Sequence, residues 1–332
     1  MKPLSFTILF LFFSQFCISQ KIGIVSDTIQ SSFRGLSAVD NNIVWVSGSN
    51  GTVGGSVDGG KSWKWMRIKG YEKKDFRDIE AFSKTTAIVM AISEPAYILR
   101  TTDGGNSWKI VFEDHTKGMF LDAMDFQNDK SGIVLGDPIG NRFFIARSFD
   151  GGKTWKSIPH ENRPMADSGE ACFASSGTNI RKLHKAKSLF VSGGLSAHLF
   201  IGNKKLNIPI SQGKQSTGSN SVALKNSKNM IIVGGDFLAK DSTYRNCVIT
   251  SDGGKSFYFP NTSPSGYRSC VEFLQKNSWI TCGLNGVDIS NDNGMNWRNI
   301  SKESFHVCRK SKRGNVIYFA GNNGRIGKLY MP

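Results

Sequence analysis

The sequence predicts an all-β protein, a single ring of seven four-stranded antiparallel blades, and three observations carry that reading. An eight-residue turn motif recurs along the chain, as SVDGGKSW at 56–63, TTDGGNSW at 101–108, SFDGGKTW at 148–155, TSDGGKSF at 250–257 and a weaker SNDNGMNW at 290–297. Each copy is preceded by three short β-prone runs, giving four strands in about 40–50 residues, the period of a β-propeller blade. The chain of 332 residues is 39% hydrophobic and holds 36 glycines without collagen-like periodicity, which suits a turn-rich β protein with a large core.

The motif reads as a turn. Its Gly-Gly pair takes positive φ at little steric cost, and its Asp and Ser or Thr accept hydrogen bonds from nearby backbone N–H groups. The closing Trp or Phe supplies apolar area for packing between sheets. Asp58, Asp103, Asp150, Asp252 and Asp292 are therefore structural aspartates, because a catalytic group is needed once and a turn is needed in every repeat.

The blades follow in order. In blade one the runs are 33–39, 43–49, 52–56 and 62–66. Blade two spans Phe76 to Phe112 and blade three Phe120 to Ile158, with a longer inner loop at 137–143. The interval from Asp150 to Asp252 is about twice the others, so blade four, from Gly169 to Ile208, has lost its Asp turn to Gly202-Asn203-Lys204. Blade five runs from Ser219 to Phe259 and carries the insertion FLAKDSTYRN at 237–246; blade six runs from Tyr267 to Ile300. Blade seven begins at Phe305 and lacks a fourth strand. Lys21 to Ser26 has no blade of its own and supplies it, closing the ring and removing an open edge. Six or eight blades are the alternatives.

Residues 1–19 combine Lys2, an apolar run from Leu4 to Phe13 and small residues near Ser19, the pattern of a cleaved secretory signal, with 20–332 as the propeller. A lipoprotein reading through Cys17 is disfavoured by Phe16. No second long apolar run follows, so an integral membrane protein is not expected, and the chain is read as a periplasmic or secreted monomer. The net charge of +16 points to anionic partners such as an acidic protein segment or an acidic glycan. Cys172, Cys247, Cys270, Cys282 and Cys308 contain no CxxC pair, so no metal and no cofactor is expected; pairing of Cys270, Cys282 and Cys308 and buried free thiols both remain open. No phosphate loop, nucleotide fingerprint or nucleophile elbow occurs, and no nucleic acid is expected.

The first strands of blades one, two, six and seven align without gaps as FRGLSAV, FRDIEAF, YRSCVEF and FHVCRKS. Their second positions, Arg34, Arg77, Arg268 and His306, form a cationic arc at one mouth of the channel, with Leu121 in that place in blade three and Ser219 in blade five. Two readings are open: capture of carboxylate, phosphate or sulfate groups, or ion pairs with Glu80, Asp122 or Asp125 that tie blades together. His115, His160, His184 and His198 have no metal-ligand spacing. Asp137 and Asp236 follow matching glycines at the two insertions, where loop formation explains them equally well. Arg100 and Arg147 read as exposed strand residues, and the run 181–187 as a solvated basic turn.

SxDGGxTW resembles the Asp-box, or bacterial neuraminidase repeat, of sialidases, sortilin-type receptors, some glucanases and photosystem II assembly factors. The blade ends SFDGGKTW and the strands WVSGSNGTVGGS and IYFAGNNGRIGKL are most similar to the last group. That resemblance implies an exported seven-bladed scaffold that binds other proteins through its arginine patch, rather than an enzyme. The rival is a sialidase-like glycoside hydrolase, with an arginine triad and a Tyr–Glu pair. Phe33-Arg34-Gly35-Leu36 lacks the proline of the sialidase FRIP motif, and the FR pair recurs at Phe76-Arg77 as part of the repeat.

Overall fold

The computed structural model describes residues 21–183 and 187–330. The signal expected over 1–19 and His184 lie outside them. Seven sheets stand around a central axis. Blade one is Phe33–Ala38, Val44–Gly48, Thr52–Ser56 and Lys64–Arg67, and blade two is Phe76–Ala81, Ala87–Ala91, Ala96–Thr101 and Lys109–Asp114. Blade three is Leu121–Phe126, Gly132–Ile139, Arg142–Ser148 and Lys156–Ser157. Blade six is Cys270–Gln275, Ser278–Gly283, Gly286–Ser290 and Arg298–Ser301. In every case the strand earliest in sequence is innermost.

Blade seven closes as the sequence predicts. Its own strands are Val307–Lys310, Val316–Ala320 and Ile326–Tyr330, and Gly23–Ser26 pairs antiparallel with the last of these, Ile24 opposite Gly327. No sheet edge at the ends of the ring is left to recruit another chain through blade seven's third strand. Among the described residues no helix is long and apolar enough to cross a membrane.

The turn motif does in the structure what its residue types dictate. In blade one the Ser56 hydroxyl donates to Asp58 Oδ1 at 2.9 Å and accepts the Gly60 N–H at 2.9 Å, while Ser62 N–H donates to Asp58 Oδ1 at 2.9 Å. The same set recurs around Asp103, Asp150, Asp252 and Asp292. Gly59 and Gly60 have φ of 77° and 84°, which a side chain would resist. The Ser62 hydroxyl and N–H hold the Asp58 carboxyl down at about 2, and Ser107 does the same for Asp103.

The core lies between blades. Phe143 of blade three packs edge-on against Phe190 and Phe200 of blade four, which stack with centroids 4.4 Å apart. Trp45 of blade one buries its ring and donates its indole N–H to Ser83 O of blade two at 3.1 Å. Arg100 and Arg147 belong to these seams rather than to an exposed face: both are partly buried, and Arg100 Nε donates to Gly151 O of the next blade at 3.3 Å.

Blades four and five depart from the regular pattern. Blade four pairs Ile180–Lys182, Ser188–Val191, His198–Ile201 and Lys204–Asn207, with Gly202-Asn203 as the turn that replaces the Asp motif. Its inner strand is interrupted. Glu170–Ala171 and Gly193–Gly194 join the blade five strands Thr217–Leu224, Met230–Asp236 and Cys247–Thr250 in one five-stranded sheet, and blade five's fourth strand shrinks to a bridge between Ile249 and Tyr258. Arg181, expected in a solvated turn, lies instead on the inner strand of blade four and is mostly buried. Between the two parts of that interrupted strand, residues 172–179 leave the sheet and enter the channel.

Candidate functional site

The segment 173–178 plugs the axial channel. Ser176 Oγ donates to Ser269 O at 2.7 Å, Thr178 Oγ1 to Ser221 Oγ at 2.6 Å, and Arg309 Nη2 donates to Gly177 O at 3.2 Å, so blades five, six and seven all grip it. Gly177 has φ of 64° and sits against the Asp78 carboxyl of blade two, where a Cβ would come within 2.3 Å. The plug divides the channel into two chambers, one at each end of the inner strands.

The chamber at the start of the inner strands is a cavity of about 270 Å³. Arg34, Arg77 and His306 line it, with Phe173, Ala174 and Ser175 of the plug, Asn220, Tyr267 and Ser269, and an apolar side formed by Phe237 and Leu284. A β-bulge aims the arginines inward. Register shifts between Phe33 and Gly35, and between Phe76 and Asp78, leave Arg34 and Arg77 as the unpaired residues of their ladders.

The bulge corrects the alignment of the inner strands. In blade three it falls between Leu121 and Ala123 and in blade five between Ser219 and Ser221, so the counterparts of Arg34 are Asp122 and Asn220, not Leu121 and Ser219. In blade six Cys270 pairs with Cys282 and Ser269 N–H donates to Cys282 O, which puts Ser269 at the chamber wall. Arg268 is one residue earlier and does not line the chamber. It is fully buried, with Nε donating to Asp288 Oδ2 at 2.7 Å, Nη2 to the same oxygen, and Nη1 to Tyr267 O at 2.8 Å. A gapless alignment on the aromatic residue misses this because it sets Tyr267 against Phe33, whereas Arg268 precedes Ser269 as Phe33 precedes Arg34.

His306 lines the chamber without adding charge to it. Burial, then the Arg34 charge, press its imidazole down to about 4, and Nε2 lies 2.8 Å from Asn322 Oδ1. The cationic group is therefore Arg34 and Arg77 alone. Arg77 is half committed: Nε donates to Asp75 Oδ2 at 2.8 Å and Nη1 reaches Ala174 O at 3.5 Å. Arg34 makes no hydrogen bond or ion pair among the described residues; burial and the Arg77 charge lower its affinity for its proton. The ion-pair reading with Glu80 and Asp125 does not hold, because those carboxylates sit in the other chamber, where Glu80 takes Lys312 and Asp125 accepts the Lys182 N–H. Asp122 is buried and neither of its oxygens has a hydrogen-bond partner.

That second chamber, about 100 Å³, is lined by Glu80, Asp125, Glu272, Arg309, Lys310 and Lys312 among others. Arg309 Nη1 lies 3.8 Å from Glu272 Oε2 and Arg181 Nη2 lies 4.0 Å from the same oxygen, and Lys310 Nζ donates to Leu274 O at 2.6 Å. Its charges are spent on each other.

Two further constellations are structural. His198 Nδ1 is 2.8 Å from Glu170 Oε1, but Lys205 Nζ already stands 2.6 Å from Asp167 Oδ1 and 3.2 Å from Glu170 Oε2, filling the place a cation would take. Asp137 accepts the Cys172 N–H at 2.8 Å and Asp236 the Leu238 N–H at 3.0 Å, so both shape loops. Among the described residues the arginine chamber is lined by no carboxylate, and its one tyrosine, Tyr267, donates to Asn220 Oδ1 at 2.8 Å and is pushed up to about 12 by burial.

A ring of seven blades tied by Asp turns, with a plugged channel and arginines at one mouth, defines an Asp-box β-propeller; residues 146–157 match the BNR/Asp-box repeat. Within that class, residues 19–117 match the family described as Photosynthesis system II assembly factor YCF48, and the chain resembles that family. No curated protein matches the sequence. A structure of YCF48 bound to D1 peptide superposes with a TM-score of 0.67 at 14% identity, covering 96% of this chain and 100% of that one. YCF48 from Cyanidioschyzon merolae gives 0.66 at 17% identity, covering 93% and 98%. The WD40 β-propeller domain of Doa1 gives 0.62 at 12% identity over 94% and 98%, so at these identities the structural likeness is one of fold.

Proposed function

We propose that this protein is an exported binding scaffold that captures an acidic peptide segment in the Arg34–Arg77 chamber. The observation that carries the reading is the Arg34 guanidinium, which faces the cavity without an acceptor beside a second arginine. An incoming carboxylate supplies the missing acceptor and offsets the repulsion between the two cations. The apolar side of the cavity continues outward through the blade five insertion, where Leu238 and Tyr244 are 79% and 66% exposed. That surface suits a segment with an apolar residue next to its acidic one. The YCF48 structure with D1 peptide supports a peptide as the type of ligand.

The test is calorimetric titration with acidic peptides, each also made with its carboxylates amidated, and with a sulfated oligosaccharide alongside. Arg34→Ala and Arg77→Ala should each weaken peptide binding by at least tenfold, and amidation should do the same. Binding of the oligosaccharide alone, or peptide affinity unchanged in the double variant, overturns the reading. Export is tested by the mass of the protein recovered from the cell envelope, which should begin at Gln20.

A further inference from the structure

Three of the five described cysteines meet at one point, although they come from three strands of two blades. Cys270 and Cys282 face each other across the first two strands of blade six, and Cys308 enters from the inner strand of blade seven. Cys308 Sγ is 3.7 Å from Cys270 Sγ, and the three sulfurs all lie within 4.8 Å of one another. All three are fully buried in the apolar seam of blades six, seven and one. The corresponding pair in blade one is Gly35 opposite Ser47, so the blade geometry does not itself require sulfur here. Cys172 and Cys247 are also buried but belong to no such group.

We propose that Cys270, Cys282 and Cys308 form a three-coordinate thiolate site for a soft monovalent metal ion, Cu(I). Three thiolates placed trigonally around a metal at about 2.3 Å have sulfurs about 4 Å apart, and the Cys270–Cys308 distance of 3.7 Å, with all three sulfurs within 4.8 Å, is compatible with that spacing. The donor set selects the ion. Structural zinc takes four ligands, and no fourth His, Cys, Asp or Glu joins this cluster among the described residues, whereas an all-sulfur site favours Cu(I). Burial pushes the Cys282 and Cys308 thiols well up, and the charges of Arg268 on Cys282 and Arg309 on Cys270 work against it. Binding releases the thiol protons to solvent and changes no oxidation state, so no redox partner is needed. Thr178 Oγ1 of the plug lies 3.7 Å from the Cys270 sulfur, so the way in from the channel passes the plug.

The full chain, reduced and kept under nitrogen, is titrated with Cu(I) against a chromophoric Cu(I) chelator. One equivalent should be taken from the chelator, and X-ray absorption should show three sulfurs at roughly 2.3 Å. Cys282→Ser and Cys308→Ser should each weaken retention by at least a hundredfold, whereas Cys172→Ser and Cys247→Ser should leave it unchanged. Absence of stoichiometric uptake, uptake that persists in both cluster variants, or a copper shell of nitrogen and oxygen overturns the proposal. So does loss of two hydrogens by mass with no copper retained, which signals a disulfide. Should the serine variants unfold, the sulfur count in the wild-type absorption spectrum decides alone.

Discussion

The two chambers are built from the same inner strands, and the first holds fewer cations than the second, yet only the first has one to offer. At one end Arg309, Arg181 and Lys312 are matched by Glu272 and Glu80, while at the other Arg34 has no partner among the described residues and Arg77 shares itself between Asp75 and a backbone carbonyl. The difference comes from register. In blades one and two a bulge turns Arg34 and Arg77 toward the first chamber, while the residue before each goes into the seam between blades; Arg268 holds the place of Phe33, one position before that of Arg34, and is buried.

That contrast can be broken by comparing Arg268→Ala with Arg34→Ala in denaturant unfolding. Removing Arg268 strands Asp288 in the interior, and loss of one partner of a buried pair costs about 3–5 kcal/mol. Arg34→Ala leaves no group unpaired and relieves Arg77, so its stability should stay within about 0.5 kcal/mol of wild type. Equal losses would mean that Arg34 is as structural as Arg268.

The plug that separates the chambers gives the next largest effect. Gly177→Ala places a methyl on the Asp78 carboxyl at a positive φ, and overpacking of this kind costs about 1–3 kcal/mol. Thermal melting should show the loss, and opening of the plug should also merge the two cavities. An unchanged melting temperature would show that the plug is loosely held.

The last effect is a slope. Burial pushes the Asp78 carboxyl up to about 8 against an ordinary 3.8, so the folded chain holds a proton that the unfolded chain releases. Its contribution is complete below about pH 4 and is lost as pH rises through about 8. Stability measured across that window should therefore fall as pH rises, with Asp137, raised to about 6 chiefly by burial, adding to the fall up to about pH 6. Asp78→Asn should flatten the curve while its side-chain oxygen still accepts from Met124 N–H. A curve that keeps its slope in the variant would place the proton elsewhere.

The ring, the blade boundaries and the closing strand were legible because they rest on periodic turns and alternating strands, which local sequence encodes directly. Arg34 and Arg77 were legible for the same reason, since both follow a Phe in a well-kept repeat. Arg268 was not, because Tyr267 imitates that Phe one residue before the strand position that Phe33 holds. His306 was placed correctly, but its neutrality depends on burial beside Arg34, a contact between blades one and seven. The plug was missed altogether: the glycine and serines of 173–178 suit a surface turn, and only the narrow channel turns them into contacts. A lost motif in blade four was the available signal, and it marked the blade whose inner strand had been freed for another use.

Closure by Gly23–Ser26 also sets an order of events during synthesis. The outermost strand of blade seven leaves the ribosome before any other described strand, and its partner Ile326–Tyr330 leaves last. Domains generally fold as they emerge, N-terminal parts first. Here the first strand must wait until six other blades have been made. Until then the growing protein is an open crescent whose end blades each have an uncovered face, and Ile326–Tyr330 acts as a latch that converts it to a ring.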